Sequence, residues 1–284
     1  MNLKKISQVL KNNAGFEIGT DFFCNSEQSI NKIPLIIFCH GFKGFKDWGG
    51  FPYMMEQLAF NGFASVSFNF SHNGVSKENP HEFTKPELFS QNTFSQELDD
   101  LRIVLNYFYV HAEKYNIDKN SIGLIGHSRG GGIAVIKASE DEKIKALAVL
   151  ASVSEFDRYS DEQKRKWKEK GYYEVENTRT KQVMRLNYSL MEDMGRNKDR
   201  MNITNAISKI KFPLLIIHGK EDLAVKSESA NELYKYSNKQ NSELQIIENT
   251  GHTFGAVHPF KGTTKAFEQV IELLVGFFNS SLKK

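Results

Sequence analysis

Gly126-His127-Ser128-Arg129-Gly130 is the stretch on which the reading of this chain turns. It follows a short apolar run, Ile122-Gly123-Leu124-Ile125, and leads into a helix-like segment from Gly131 to Ala138. A serine with a glycine two residues away on each side can sit on a sharp strand-to-helix turn, where larger neighbours would collide. Such a turn lifts the Ser128 hydroxyl out of the sheet. It also brings the Arg129 N–H, at the start of a helix, beside any negative oxygen that forms next to Ser128.

Outward from that turn, short apolar runs alternate with helical patterns. That alternation predicts an α/β fold, a mostly parallel sheet with helices on both faces. The runs are Leu35–Cys39, Ala64–Phe68, Ile122–Ile125, Ala146–Leu150, Leu214–Ile217 and Leu244–Ile247. They are nearly all apolar, as strands buried on both faces should be. Phe16–Phe22 alternates instead, which predicts a half-exposed antiparallel strand at the sheet edge. Helices are expected over Pro52–Phe60, Ser95–Ala112, Arg129–Ser139, Ser227–Tyr236 and Lys265–Phe278. In the second of these, Leu98, Leu101, Val104, Leu105 and Phe108 share one face. The rhythm breaks over residues 155–210, which are charged, dotted with aromatics and without strand character. That segment is too small to bury a core of its own. It is expected to be a helical lid inserted into a core formed by residues 1–154 and 211–284.

A hydroxyl is a weak nucleophile and needs a base, itself oriented by a carboxylate. The run Leu214–Ile217 leads into a loop carrying Asp222, and Leu244–Ile247 leads into a loop carrying His252. In a parallel sheet the loops after the strands converge on one rim, so Ser128, Asp222 and His252 are expected to meet there. Glu155, after the run that ends near Ala151, is a rival for the acid. The run Leu35–Cys39 ends in His40-Gly41-Phe42, where Gly41 permits a tight turn that faces the Phe42 N–H into the site. The Phe42 and Arg129 N–H groups are the expected oxyanion hole. His40, His127 and His218 are read as structural, and His72 as a surface-loop residue. No histidine spacing suits a metal, so no metal is expected, and the glycines lack a P-loop or dinucleotide pattern.

Taken together, His40-Gly41-Phe42, Gly126-His127-Ser128-Arg129-Gly130, His218-Gly219-x-x-Asp222 and Gly251-His252 resemble the serine α/β-hydrolase superfamily over nearly the whole chain. The details resemble the bacterial cinnamoyl/feruloyl-esterase and dienelactone-hydrolase-like branch, where a His-Gly-Phe loop and an insertion after the sixth strand are usual. The resemblance implies an α/β-hydrolase fold and carboxylic-ester hydrolysis through an acyl-serine, without a cofactor. It also leaves open a thioesterase or acyltransferase, or a peptidase or amidase, on the same triad. The dienelactone hydrolases proper carry cysteine at the nucleophile position, so serine here speaks against that activity.

Composition narrows the partners. The net charge of +3 is too mild to indicate nucleic acid, and no Lys/Arg block is interleaved with aromatics. Apolar runs are of strand length, well short of the ~20 residues of a membrane span. Met1-Asn2-Leu3-Lys4-Lys5 is followed by polar Ser7, Gln8, Lys11 and Asn12, so the apolar core of a signal peptide is not expected there. Cys24 and Cys39 make no disulfide framework. A cytoplasmic enzyme with a small-molecule ester substrate is expected, without nucleic-acid or membrane partners; the oligomeric state is not specified. Residues 155–210 hold 13 Lys+Arg against 10 Asp+Glu, which is the whole excess charge. The excess reads as a solvated helical face. The sharper alternative is that Arg158, Arg179, Lys181 or Arg185 meets an anionic substrate.

Overall fold

Side chains along strand β3 (Ile33–Cys39) alternate between two cores: Leu35, Ile37 and Cys39 enter one, Ile36 and Phe38 the other. Period-two alternation across a sheet buried on both faces requires this. The computed structural model describes residues 2–25, 31–177 and 180–283. Its main sheet also contains β1 (Leu3–Lys11), β2 (Glu17–Asn25), β4 (Ala64–Phe68), β5 (Ile117–His127), β6 (Ile144–Leu150), β9 (Leu214–Gly219) and β10 (Ser242–Ile247). The strand order is β1-β2-β4-β3-β5-β6-β9-β10. From β4 to β10 all pairs are parallel, and β2 joins antiparallel to both β1 and β4.

Helices cover both faces. Helices α3 (Phe94–Val110) and α4 (Arg129–Glu140) contribute to the first core, whereas α1 (Phe51–Phe60) and α9 (Lys265–Leu282) pack in the second. Helix α3 starts where Thr93 caps the Gln96 N–H, and α9 where Thr264 caps that of Phe267. Helices α2 (Pro86–Ser90) and α8 (Glu228–Tyr236) complete the helices outside the insertion.

Two expectations need correction. The strand expected over Phe16–Phe22 is not at the edge. From Glu17 onward it is part of β2, and β1 pairs with β2 over nine residues as the true edge strand. The lysines of β1 face solvent and mask its weaker apolar side, and exposed lysines suit an edge that must not pair further. The segment after β6 is also not free of strands. It runs through α5 (Asp161–Lys170), an antiparallel hairpin of β7 (Tyr172–Glu176) and β8 (Val183–Asn187), α6 (Ser189–Arg196) and α7 (Ile203–Ser208).

The insertion is built by strong local signals. Ser160 and Gln163 form a reciprocal capping box at the start of α5, and Gly171 at φ +80° ends it. Trp167 of α5 is buried and donates its indole N–H to the Leu186 carbonyl at 2.9 Å, tying the helix to the hairpin. Met184, Leu186, Leu190, Ile203 and Ile207 enter the same core as α3 and α4. The insertion therefore shares the core of the main sheet. None of the described helices is long and apolar enough to cross a membrane. Both cysteines are buried and free.

Candidate active site

Ser128 stands between β5 and α4 with φ +57° and ψ −122°, a conformation non-glycine residues avoid. Close backbone contacts enforce it. A Cβ on Gly130 would lie 2.3 Å from the His40 carbonyl oxygen, and one on Gly126 2.5 Å from that of Gly130. The Ser128 N–H is held by the Leu150 carbonyl at 2.9 Å. A Cβ on Gly41 would come within 2.8 Å of the Ser128 Cβ, so the loop after β3 lies directly against the serine.

Ser128 lines a cavity of about 950 Å³ together with His252, Phe42 and Arg129. Aromatic side chains of Phe94, Phe156, Tyr159 and Tyr173 extend its wall, three of them from the insertion. Arg129 opens α4, and the first N–H groups of a helix have no partner within it.

His252 Nδ1 lies 2.7 Å from Asp222 Oδ2. A carboxylate only accepts, so Nδ1 carries the proton and Nε2 is the basic nitrogen of the neutral ring. Asp222 is buried, which opposes its ionisation. Hydrogen bonds from His218 and His252 and from the Val225 N–H outweigh burial and hold its carboxyl well below the usual range. Its Oδ1 accepts the Ala224 and Val225 N–H groups at 2.8 and 2.9 Å. Glu155, the rival acid, is exposed on the rim of the cavity, and the carboxylate bonded to His252 is that of Asp222.

The other histidines divide. His40 Nδ1 donates to the Gly41 carbonyl at 2.9 Å and Nε2 accepts the Phe70 N–H, which fixes the loop before Phe42. His218 Nε2 lies 2.8 Å from the Val225 carbonyl and 3.2 Å from Asp222 Oδ2. His127 reaches far beyond its own turn: its Nε2 donates to the His252 carbonyl at 2.9 Å, joining residues 125 apart in the chain. His72 is buried, not a surface residue; it bonds Ser71 Oγ and meets the Phe16 ring edge-on.

Burial pushes the His127 imidazole down to about 3 and that of His40 down to about 4. In the unfolded chain both titrate near pH 6.5. Their contribution to stability is therefore complete above about pH 6.5 and is lost as pH falls towards the folded values. Asp100, raised to about 6 by burial, works in the opposite direction between about pH 6 and 4. Replacing His127 with Gln should flatten the acid decline of unfolding free energy by roughly 1.4 kcal/mol per pH unit between pH 6 and 4. Denaturant titrations at several pH values check this; an unchanged slope would contradict neutral burial of His127.

The insertion's cations are mostly engaged elsewhere. Arg185 pairs with Glu174 and Lys181 with Glu176, while Arg179 lies outside the described residues. Arg158 lines the cavity and donates to the Ala224 carbonyl at 2.6 Å. Lys43 and Arg129, from outside the insertion, line it too. Among the described residues no group of three or more His, Cys, Asp and Glu side chains is placed to hold a metal ion.

The BD-FAE family profile matches residues 20–236, which include Ser128 and Asp222 and stop short of His252. The chain belongs to this esterase-like family of α/β-hydrolases. An uncharacterized 31.7 kDa protein of the traX-finO intergenic region of Escherichia coli is 31% identical over 117 residues. That match spans 41% of this chain and only 36% of the relative. Est1E from Butyrivibrio proteoclasticus, solved with ferulic acid bound, superposes with a TM-score of 0.71 at 20% identity, covering 98% of this chain and 100% of that one. The esterase domain of a Rhodothermus marinus protein gives 0.65 at 17%, covering 99% and 100%. A dienelactone hydrolase from Anabaena variabilis gives 0.64 at 15%, covering all of both chains. At these identities the likeness establishes the α/β-hydrolase fold.

Proposed function

We infer that this protein is a serine hydrolase of carboxylic esters with small or aromatic acyl groups, working through an acyl group carried on Ser128. The observation that carries the reading is the 2.7 Å Asp222–His252 bond beside the cavity lined by Ser128. Ser128 Oγ attacks the ester carbonyl as His252 Nε2 takes its proton. The Phe42 and Arg129 N–H groups receive the oxyanion. The tetrahedral intermediate collapses, the C–O bond to the alcohol breaks, and His252 protonates the departing alkoxide. Water, deprotonated by His252, then attacks the acyl-serine. The acid leaves and Ser128 Oγ regains the proton from His252. Asp222 stabilises the imidazolium throughout.

The aromatic wall of Phe42, Phe94, Phe156, Tyr159 and Tyr173 supports a compact or flat acyl group. The ferulic acid bound in Est1E fits the same chemistry. The test is a rate panel of p-nitrophenyl acetate to laurate, methyl ferulate and an acyl-CoA, blanked with the Ser128→Ala protein. Short or hydroxycinnamoyl esters should be fastest. Asp222→Asn should lower kcat/KM by about 10³–10⁴, less than loss of the serine. Glu155→Gln should stay within a few-fold of wild type. A Ser128-dependent preference for acyl-CoA would move the assignment to thioesters, and a larger loss from Glu155→Gln would make Glu155 the acid.

A further inference from the structure

The two proposed oxyanion donors come from distant parts of the chain: Phe42 follows β3, and Arg129 begins α4. Their spacing decides whether both reach one oxygen. Backbone contact between Gly130 and the carbonyls of Cys39 and His40 sets part of it. The side chains set the rest. The Arg129 guanidinium carbon stands 4.4 Å from the centre of the Phe42 ring and 5.6 Å from that of Phe94. Both distances lie within the range of a cation–π contact. The side chain of one donor residue thus rests on the side chain of the other.

The guanidinium is itself anchored. Its Nη2 donates to Oε1 of Glu97, a carboxylate on α3 that is only 3% exposed. The same Oε1 accepts the Asn92 Nδ2–H at 2.7 Å. Oε2 of Glu97 is buried and, among the described residues, has no hydrogen-bond partner. An ion pair buried this way is a poor device for stability, since desolvation consumes most of its attraction. What it does supply is direction, because a guanidinium fork held at one edge presents its face in a defined plane. Phe42 is braced on another side by Phe89, with ring centres 5.5 Å apart.

We propose that Glu97 is a positioning residue for the oxyanion hole, acting through the Arg129 guanidinium clamped on the Phe42 ring. It touches neither substrate nor reacting atoms. It fixes Arg129, and Arg129 fixes Phe42, so that the two N–H groups converge before the ester arrives. This role presupposes Ser128 as the acylated nucleophile. Such preorganisation acts on the developing negative charge, so its loss should fall on kcat and leave ground-state binding alone.

The test uses the full-length protein, with active sites counted by fluorophosphonate labelling so that unfolded molecules do not enter the rates. Glu97→Gln should lower kcat for p-nitrophenyl acetate about tenfold, a fraction of the loss of a whole donor, with KM within about twofold. The Ki of an aryl trifluoromethyl ketone, whose Ser128 adduct carries an oxyanion, should rise by about the same factor. Arg129→Met should show the same pattern, and the double variant should be no slower than Arg129→Met alone. An unchanged kcat per labelled site, a loss confined to KM, or multiplying effects in the double variant would overturn the proposal. If Glu97→Gln yields no folded protein, Arg129→Met is judged by the same kcat and Ki criteria. Turnover that survives Ser128→Ala would instead refute the underlying reading of the site, before any question about Glu97 arises.

Discussion

Ser128→Ala is expected to lower ester turnover by about 10⁴–10⁶ while leaving the fold intact, the size of loss that nucleophile deletions cause in Ser-His-Asp enzymes. The substitution removes only Oγ. The backbone at φ +57° is as strained for alanine as for serine, and the bond from its N–H to the Leu150 carbonyl remains. Thermal unfolding should therefore move little. On the proposed mechanism the rate should fall to what the cavity and the Phe42 and Arg129 N–H groups supply without the Ser128 hydroxyl. Parallel measurement of kcat/KM and Tm checks both halves. A large drop in Tm would mean that the serine is part of the scaffold, and sustained turnover would mean that the reaction occurs elsewhere.

Gly130→Ala should have the largest effect on stability of any single methyl added to the site. The new Cβ would sit 2.3 Å from the His40 carbonyl oxygen and 2.5 Å from that of Cys39. Both are backbone atoms at the end of a central strand, so neither can step aside without moving β3 or α4. Overpacking of this kind costs about 3 kcal/mol or more, which for a chain of this size lowers Tm by roughly 6–12 °C. Residual folded protein should also be slow, because the loop bearing Phe42 begins at the displaced carbonyls. Gly195 in α6 is the control, since a Cβ there meets nothing within 4 Å. Gly195→Ala should be neutral or slightly stabilising. Equal Tm values for the two variants would contradict the close approach at Gly130.

Much of this architecture is legible in residue patterns because it rests on local signals. The central strands announce themselves as apolar runs, and the glycines around Ser128 mark a turn that only small residues permit. Asp222 and His252 each lie a few residues beyond a strand, so a parallel sheet carries them to one rim. What escapes is whatever depends on a distant partner. The lysines of β1 hide a strand that β2 completes. In the insertion, β7 and β8 are short and charged, and their strand character comes from pairing with each other and from the Trp167 bond to Leu186. His127 looks like a filler beside Ser128 until the fold brings the His252 carbonyl to it. Glu97 did leave a trace. It falls on the same helical stripe as Leu101, Val104, Leu105 and Phe108, and a carboxylate on an apolar stripe asks for a buried cation. Only the tertiary fold reveals that the cation is Arg129, the residue after Ser128.

Acylation of Ser128 shows itself in the mass of the protein caught during turnover. Acid quenching in the first moments of reaction with p-nitrophenyl acetate should yield protein heavier by one acetyl group, carried on the peptide that contains Ser128, and the Ser128→Ala protein should show none. An enzyme that hydrolyses the ester at the same rate with no such adduct, or with one that persists in the Ser128→Ala protein, would contradict the account.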